Sequence, residues 1–350
     1  MKQNRYSIYK ILKFDEKIKS LKSGEITPPI MVYINPTNRC NHKCWFCVYD
    51  HRTSGMHPDV NFSDELSFDR MFALVDELYD AGVKAVTFSG GGEPLCYKDI
   101  DKVFEKLIGK GIDVGLITNA QLLCGSHAKA LSKAKWIRIS ADYYEKSGFV
   151  KSRGVSDASF DRIVENIESF LKTYPTIDVG MNYVITADNY ASLKDAALFW
   201  KERGLKSIRF SPVWISNFEE YHRPMRDLVR YDLEEVKKNL SGLSFEVQDS
   251  YKIDLKSQYV SECRCLFMQA VTVIASDGNV YACHNMSYDP VGKIGSIKDM
   301  PFDKMWGSEE VQKVIDSFDP RVSCKNRQCA NKAKVEFYNS LVDTSWDNFV

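Results

Sequence analysis

Neither charge sign is in excess: 47 Lys+Arg stand against 47 Asp+Glu over 350 residues. A formal net charge of zero argues against a nucleic-acid binder working through bulk electrostatics and against a polybasic membrane clamp. No run approaches the roughly 18 apolar residues of a membrane-spanning helix. The opening MKQNRYSIYKILKFDEKIKS lacks the continuous apolar core of a signal peptide. Low-complexity tracts and Pro/Gly-rich linkers are missing too. What is left is an ordinary globular composition, 44% hydrophobic and 27% charged, long enough for one large domain and a smaller one. The chain reads as cytoplasmic.

Cysteine, by contrast, is plentiful. Ten are many for a reducing compartment, where clustered thiols signal metal or redox chemistry more often than disulfides. Three fall within eight residues (Cys40, Cys44, Cys47) and five near the end (Cys263, Cys265, Cys283, Cys324, Cys329). Cys96 and Cys124 stand alone and read as buried small hydrophobes.

Residues 6–21 carry Ile8, Ile11, Leu12, Ile18 and Leu21 at helical spacing, an amphipathic helix ended by Pro28 and Pro29. From residue 30 to about 240, strand-like runs (31–36, 84–90, 113–118, 136–141, 178–186, 207–213) alternate with helical patterns (66–81, 98–111, 126–134, 158–173, 191–203, 232–240). Six β/α repeats with right-handed crossovers predict an α/β fold, a partial (β/α)6 TIM-like barrel with its chemistry at the C-terminal strand ends. Beyond a soft boundary near 240–255, VTVIAS, Asp277-Gly278 and NVYAC predict a β-hairpin, and residues 301–318 a helix. The expected division is an N-terminal extension (1–28), the barrel (29–245) and a small C-terminal α+β domain with thiols at its turns (246–350).

The segment PTNRCNHKCWFCVYDHR places Cys40-x3-Cys44-x2-Cys47 just past the first strand. Three thiolates in one loop can converge on an inorganic cluster and leave one metal corner open for a ligand. The alternative is a structural zinc site completed by His42 or His51. The second strand ends in FSGGGEPL, with side chains absent at Gly90, Gly91 and Gly92 and a carboxylate at Glu93. At the other end of the chain, Cys265-x12-Gly278-x4-Cys283 spans the hairpin, followed by Cys324 and Cys329. The hairpin brings Cys265 and Cys283 to one end, where a four-thiolate [4Fe–4S] cluster or a structural zinc site with the same four thiolates can form.

C-x3-C-x2-C with an aromatic residue, Phe46, before the last cysteine resembles the radical S-adenosylmethionine (radical SAM) superfamily. The resemblance implies a [4Fe–4S] cluster held by Cys40, Cys44 and Cys47, with S-adenosylmethionine on the open iron. Reductive cleavage then gives methionine and a hydrogen-abstracting 5′-deoxyadenosyl radical, the electron coming from a donor such as flavodoxin or ferredoxin. Gly91, Gly92 and Glu93 look like the family's GGEP motif, which meets the methionyl ammonium. Thr118, Asn119, Ser140 and Asn182 look like its ribose- and carboxylate-contacting residues. The tail resembles the SPASM/twitch extension, which implies a second [4Fe–4S] cluster on Cys265, Cys283, Cys324 and Cys329, with Cys263 an open fifth choice.

A fully ligated auxiliary cluster is suited to moving an electron. The leading expectation is therefore oxidation of an alcohol on a carbohydrate, aminocyclitol or sugar nucleotide. Redox-neutral epimerisation and modification of a ribosomal peptide are the alternatives; for the latter, about 30 residues ahead of the barrel are few for a leader-binding domain. A non-catalytic zinc scaffold is the reading from another class. Candidate bases for the hydroxyl proton are His51, Asp142 and Tyr143, beside Asp50 and Arg52. Arg209, Arg223 and Arg226 could clamp a phosphate or carboxylate, and Trp214 and Tyr221 could stack on a ring. The expected partners are a small-molecule substrate and an electron donor, with neither nucleic acid nor membrane.

Overall fold

The computed structural model describes residues 7–50, 53, 55–242, 244–252, 263–325 and 329–343. Ten strands form one sheet in the order β10-β9-β8-β1-β2-β3-β4-β5-β6-β7. They are β1 Met31–Ile34, β2 Ala85–Phe88, β3 Asp113–Thr118, β4 Trp136–Ser140, β5 Asp178–Ile185, β6 Ser207–Pro212, β7 Glu246–Asp249, β8 Val271–Ile274, β9 Asn279–Tyr281 and β10 Lys293–Ser296. β1 to β7 run parallel in chain order, the arrangement that alternating β/α units predict.

Alternation decides which side chains go where. In β1 and β4 the residues Val32, Ile34, Ile137 and Ile139 are buried against the helices, while Tyr33, Trp136, Arg138 and Ser140 face the other way into the lumen of the curved sheet and are half-buried. The helices answer with apolar stripes. Helix α2, Phe68–Asp80, buries Met71, Leu74, Val75 and Leu78 and is capped by Ser67, whose hydroxyl accepts from the Arg70 amide.

The structure revises the sequence-based division at three places. β7 pairs with β6, so the barrel sheet continues past residue 245. β8 pairs with β1 in parallel register, Tyr33 opposite Val273, so the C-terminal hairpin extends the barrel sheet instead of standing apart. The tail is also pinned to α2: Arg70 holds Glu77 through two hydrogen bonds of 2.8 and 2.9 Å, donates to the Ile297 carbonyl, and Glu77 accepts the Phe302 amide. Finally, the N-terminal stretch is a 3-10 turn, Ile8–Lys13, then helix α1, Asp15–Ser23, ended by Gly24 at φ +78° before the prolines.

Helices not foreseen include α3 Lys146–Arg153 after β4 and Lys332–Ser340 near the C-terminal end, and the predicted helix over 301–318 divides into Phe302–Trp306 and Glu309–Ser317. Among the described residues no helix is long and apolar enough to cross a membrane.

Candidate active site and the two cysteine sets

The loop after β1 is built into the loop after β2. Gly92 donates its amide to the Thr37 carbonyl (3.1 Å) and Glu93 to the Arg39 carbonyl (2.9 Å). A Cβ on Gly91 would overlap the Asn38 side chain, and one on Gly92 the Arg39 carbonyl. Gly91 and Gly92 therefore make room for the neighbouring loop of the chain itself. Glu93 is buried; it accepts from Thr118 Oγ1 (2.6 Å), the Asn119 amide (2.7 Å) and the Leu95 amide (3.1 Å). Three of a carboxylate's roughly four acceptor directions are thus taken, and Glu93 serves mainly to tie the glycine loop to the end of β3. Asn119 continues the brace, its Nδ2 donating to Asn41 Oδ1 at 2.7 Å.

From this frame the cysteine loop projects over the C-terminal strand ends. It is held on its far side by α3: Lys43 donates its amide to the Arg153 carbonyl (2.8 Å) and Trp45 to that of Ser152 (3.3 Å). Burial pushes the Cys40 thiol up to about 12 and that of Cys44 up to about 11, so a metal must displace protons to bind. Cys96, expected to be buried and isolated, is partly exposed and close enough to Cys40 to raise it further; Cys124, also expected inside, is exposed.

Arg153 is the residue the sequence did not announce. Its guanidinium is buried in an ion pair with Asp142, lies 5.7 Å from the Phe46 ring and 5.3 Å from that of Phe149, and its charge lowers the pKa of Cys44. Asp142, in turn, accepts from the Ser152 hydroxyl at 3.1 Å and gives its carbonyl to Asn189 at 2.8 Å. Asp142 is thus the counter-ion of Arg153 and not the general base expected of it. Asn41 Nδ2 and Arg153 Nε are buried without partners. Unsatisfied donors around three thiols suit an anionic, sulfide-rich group, so the residues fit a cluster with an acidic ligand on it.

The other candidates scatter. His51 and Arg52 lie outside the described residues. Tyr143 lines a cavity of about 530 Å³ beside the cysteine loop, with Trp45, Asp188 and Tyr221; burial pushes its phenol up to about 12. Arg226 is paired with Glu219 and Arg223 is exposed, both after β6, whereas Arg209 lies on the lumen face of β6 itself. Trp214 stacks on Phe218 at 5.2 Å. Ser140 and Asn182 are half-buried on the lumen face.

At the opposite end of the barrel the tail gathers its thiols. Cys265 precedes β8, and Cys283 follows β9, which runs antiparallel to β8 with Tyr281 opposite Val273. Cys265, Cys324 and Cys329 each raise the pKa of Cys283, and Cys324 and Cys329 that of Cys265. These thiols are thus within electrostatic reach of Cys283, while Cys263 is exposed and acts on Arg321. Among the described residues no three Cys, His, Asp or Glu side chains converge as a single metal ion would need. Because β8 and β1 are parallel, this set marks the strand starts and the first set the strand ends. The four residues of β1 between them span about 13 Å. Tyr49 links the two loops, its hydroxyl 2.7 Å from Nε2 of His284, the neighbour of Cys283.

Comparison with known proteins agrees with this layout. The family model described as the Radical SAM superfamily matches residues 34–199, and that of an iron-sulfur cluster-binding domain, SPASM, matches residues 263–331. A GTP 3′,8-cyclase of Campylobacter fetus is 27% identical over 259 residues, 68% of this chain and 76% of that protein. The Fe-coproporphyrin III synthase of Methanosarcina barkeri is 30% identical over 163 residues, 46% of this chain and 38% of its own. Streptococcus suis SuiB, solved with its precursor peptide SuiA, superposes with a TM-score of 0.65 at 18% identity, covering 99% of this chain and 80% of SuiB. Such a likeness speaks for the fold alone.

Proposed function

Because this chain belongs to the radical SAM superfamily and carries a C-terminal SPASM-type domain, we propose that it takes a hydrogen atom from a small molecule held inside the barrel and passes an electron toward the C-terminal cluster. Its cofactors are S-adenosylmethionine and [4Fe–4S] clusters. When bound, they supply a 5′-deoxyadenosyl radical at the strand ends and a one-electron acceptor at the strand starts. The chain's own residues do the rest. Cys40, Cys44 and Cys47 would hold the first cluster beside the charge of Arg153, and Cys265, Cys283, Cys324 and Cys329 would hold the second. Tyr143 and Tyr221 border the cavity on the cysteine-loop side, and a flavodoxin- or ferredoxin-type donor supplies the first electron.

The reading rests on one observation, the two thiol sets at opposite ends of a single lumen. In its finer form the substrate carbon bears a hydroxyl and belongs to a carbohydrate, aminocyclitol or sugar nucleotide. Such a carbon would lose a hydrogen atom and its hydroxyl a proton to solvent or a base, and the cluster that Cys265, Cys283, Cys324 and Cys329 would hold would supply the acceptor for the remaining electron, leaving a ketone. A second reading takes support from the relatives named GTP 3′,8-cyclase: the same chamber would then receive a purine nucleotide.

The test is an anaerobic assay of wild type and Cys283→Ala with S-adenosylmethionine and a panel of sugar nucleotides, aminocyclitols and GTP. Wild type is expected to give ketone and 5′-deoxyadenosine in equal amounts. Cys283→Ala is expected to keep forming 5′-deoxyadenosine while ketone falls by at least about tenfold, since a lost cluster ligand costs no less than a lost outer-shell contact. Solvent deuterium in an inverted stereocentre, without ketone, would replace oxidation by epimerisation.

A further inference from the structure

A lysine seldom enters a protein interior without a carboxylate to meet it, because an ammonium taken out of water loses solvation that a counter-charge must restore. Lys334 does so. It stands half-buried on the helix Lys332–Ser340, with Nζ 5.3 Å from the ring centroid of the buried Phe267 and 3.5 Å from the Asn331 amide oxygen. Both contacts are neutral. Among the described residues the charges that act on it are those of Arg209 and Lys10, both positive; burial, aided by them, pulls the ammonium down to about 8. At neutral pH it therefore remains a cation. Lys332 and Arg321, which also stand near the C-terminal thiols, are matched instead, Lys332 with Glu336 at 3.8 Å and Arg321 with Asp319 at 2.6 Å.

Its helix is tied to the second thiol set at both ends. The Lys332 amide donates to the Cys329 carbonyl at 3.1 Å. Toward the other end the buried Asn339 donates Nδ2 to the Arg264 carbonyl (2.8 Å) and accepts the Leu266 amide at Oδ1 (3.3 Å), gripping the chain on either side of Cys265. Between these ties Val335 joins Phe267 in one apolar cluster, against which Cys265 and Cys329 pack. Lys334 is thus fixed beside the set by its own helix. Since Arg209, on the lumen face of β6, acts on it, the ammonium stands on the lumen side of the thiols.

We infer that Lys334 is the counter-charge of the second iron–sulfur site, its ammonium balancing the anionic cluster on Cys265, Cys283, Cys324 and Cys329 and favouring the reduced form of that cluster. The inference rests on this thiol set holding a cluster, as proposed above. A [4Fe–4S] core inside four thiolates is negative, and an added electron makes it more so; net charge, hydrogen bonds and exposure set its potential. A fixed cation beside it stabilises the reduced state more than the oxidised one, so the potential rises. Lys334 thereby makes the site a better acceptor for one electron. It acts through its field and is a positioning residue, not a catalytic one. With no anion to balance, methionine would serve there better than lysine.

The experiment is an anaerobic redox titration, read by electron paramagnetic resonance, of the full-length reconstituted protein in which Cys40, Cys44 and Cys47 are alanine, so that the second set alone holds iron. Lys334→Met is made in this parent. Losing one unit charge beside a partly buried site is expected to lower the ratio of reduced to oxidised cluster at a fixed potential about tenfold, which is a midpoint about 59 mV more negative. Iron per chain is expected to stay the same. Lys334→Arg, which keeps the charge, is expected to keep the parent's midpoint, an outcome that a merely structural role would not produce. If Lys334→Met fails to fold, Lys334→Gln removes the charge and carries the same expectation. An unchanged midpoint in a folded, iron-loaded Met or Gln variant overturns the inference and leaves the second cluster standing. A parent protein that binds zinc and no iron overturns the proposed function and the inference with it, since no cluster is then there to balance.

Discussion

Replacing Cys40, Cys44 or Cys47 by alanine is expected to lower reductive cleavage of S-adenosylmethionine by more than about a hundredfold, because even outer-shell losses at metal sites cost 10–100-fold. The three thiols stand on one loop, and no other described cysteine is placed to take over all three positions. Cys96 is close enough to act on Cys40 and is itself acted on by Glu93, but it stands on the loop after β2, where one thiol cannot replace a ligand triad. The measurement is 5′-deoxyadenosine released per chain under reducing, anaerobic conditions. Cleavage within a few-fold of wild type in any of the three variants would remove the assignment.

Asp142→Ala is expected to destabilise the protein by about 3–5 kcal/mol, the cost of leaving a buried guanidinium without its partner. Asp142 is 0% and Arg153 4% exposed, so water cannot replace the lost carboxylate. The consequence reaches the site, because the last turn of α3 offers the Ser152 and Arg153 carbonyls that the cysteine loop hangs on. A lowered urea midpoint together with reduced iron uptake is the expected result. An unchanged midpoint would mean that Arg153 finds another counter-charge and that the Asp142 pair is dispensable.

The local parts of this protein were legible in its sequence. The six strand patterns lie within a few residues of the observed strands, and β3 matches over 113–118, because period-two burial is written into each segment. The first thiol set could be read in the same way, since Cys40, Cys44 and Cys47 lie within eight residues. What required coordinates was long-range. The parallel pairing of β8 with β1 joins residues more than 200 positions apart in the chain, and nothing in VTVIAS says which edge it meets. The four-residue β7 is too short to rise above its surroundings. Arg153 sits eleven residues past Asp142 in α3, an amphipathic signal too weak to mark a helix, so a buried ion pair was read as a free base. The bonds of Glu93 to Thr118 and Asn119 and of its amide to the Arg39 carbonyl join segments distant in the chain, so they too needed coordinates. Arg138 is the instructive case: it has the same parity as Trp136 and Ser140 in WIRIS, so the alternation that placed Ser140 on the lumen face placed Arg138 there too.

The account stands on two four-iron clusters at the two ends of one barrel, and the direct test is iron and sulfide per chain after anaerobic reconstitution. Wild type is compared with the variant in which Cys40, Cys44 and Cys47 are all alanine. About eight irons falling to about four is the expected result, four thiolates or three with an open corner serving each cluster. About four irons in the wild type, with zinc bound in place of the rest, would contradict it, leaving the C-terminal thiols a structural site with no electron to receive.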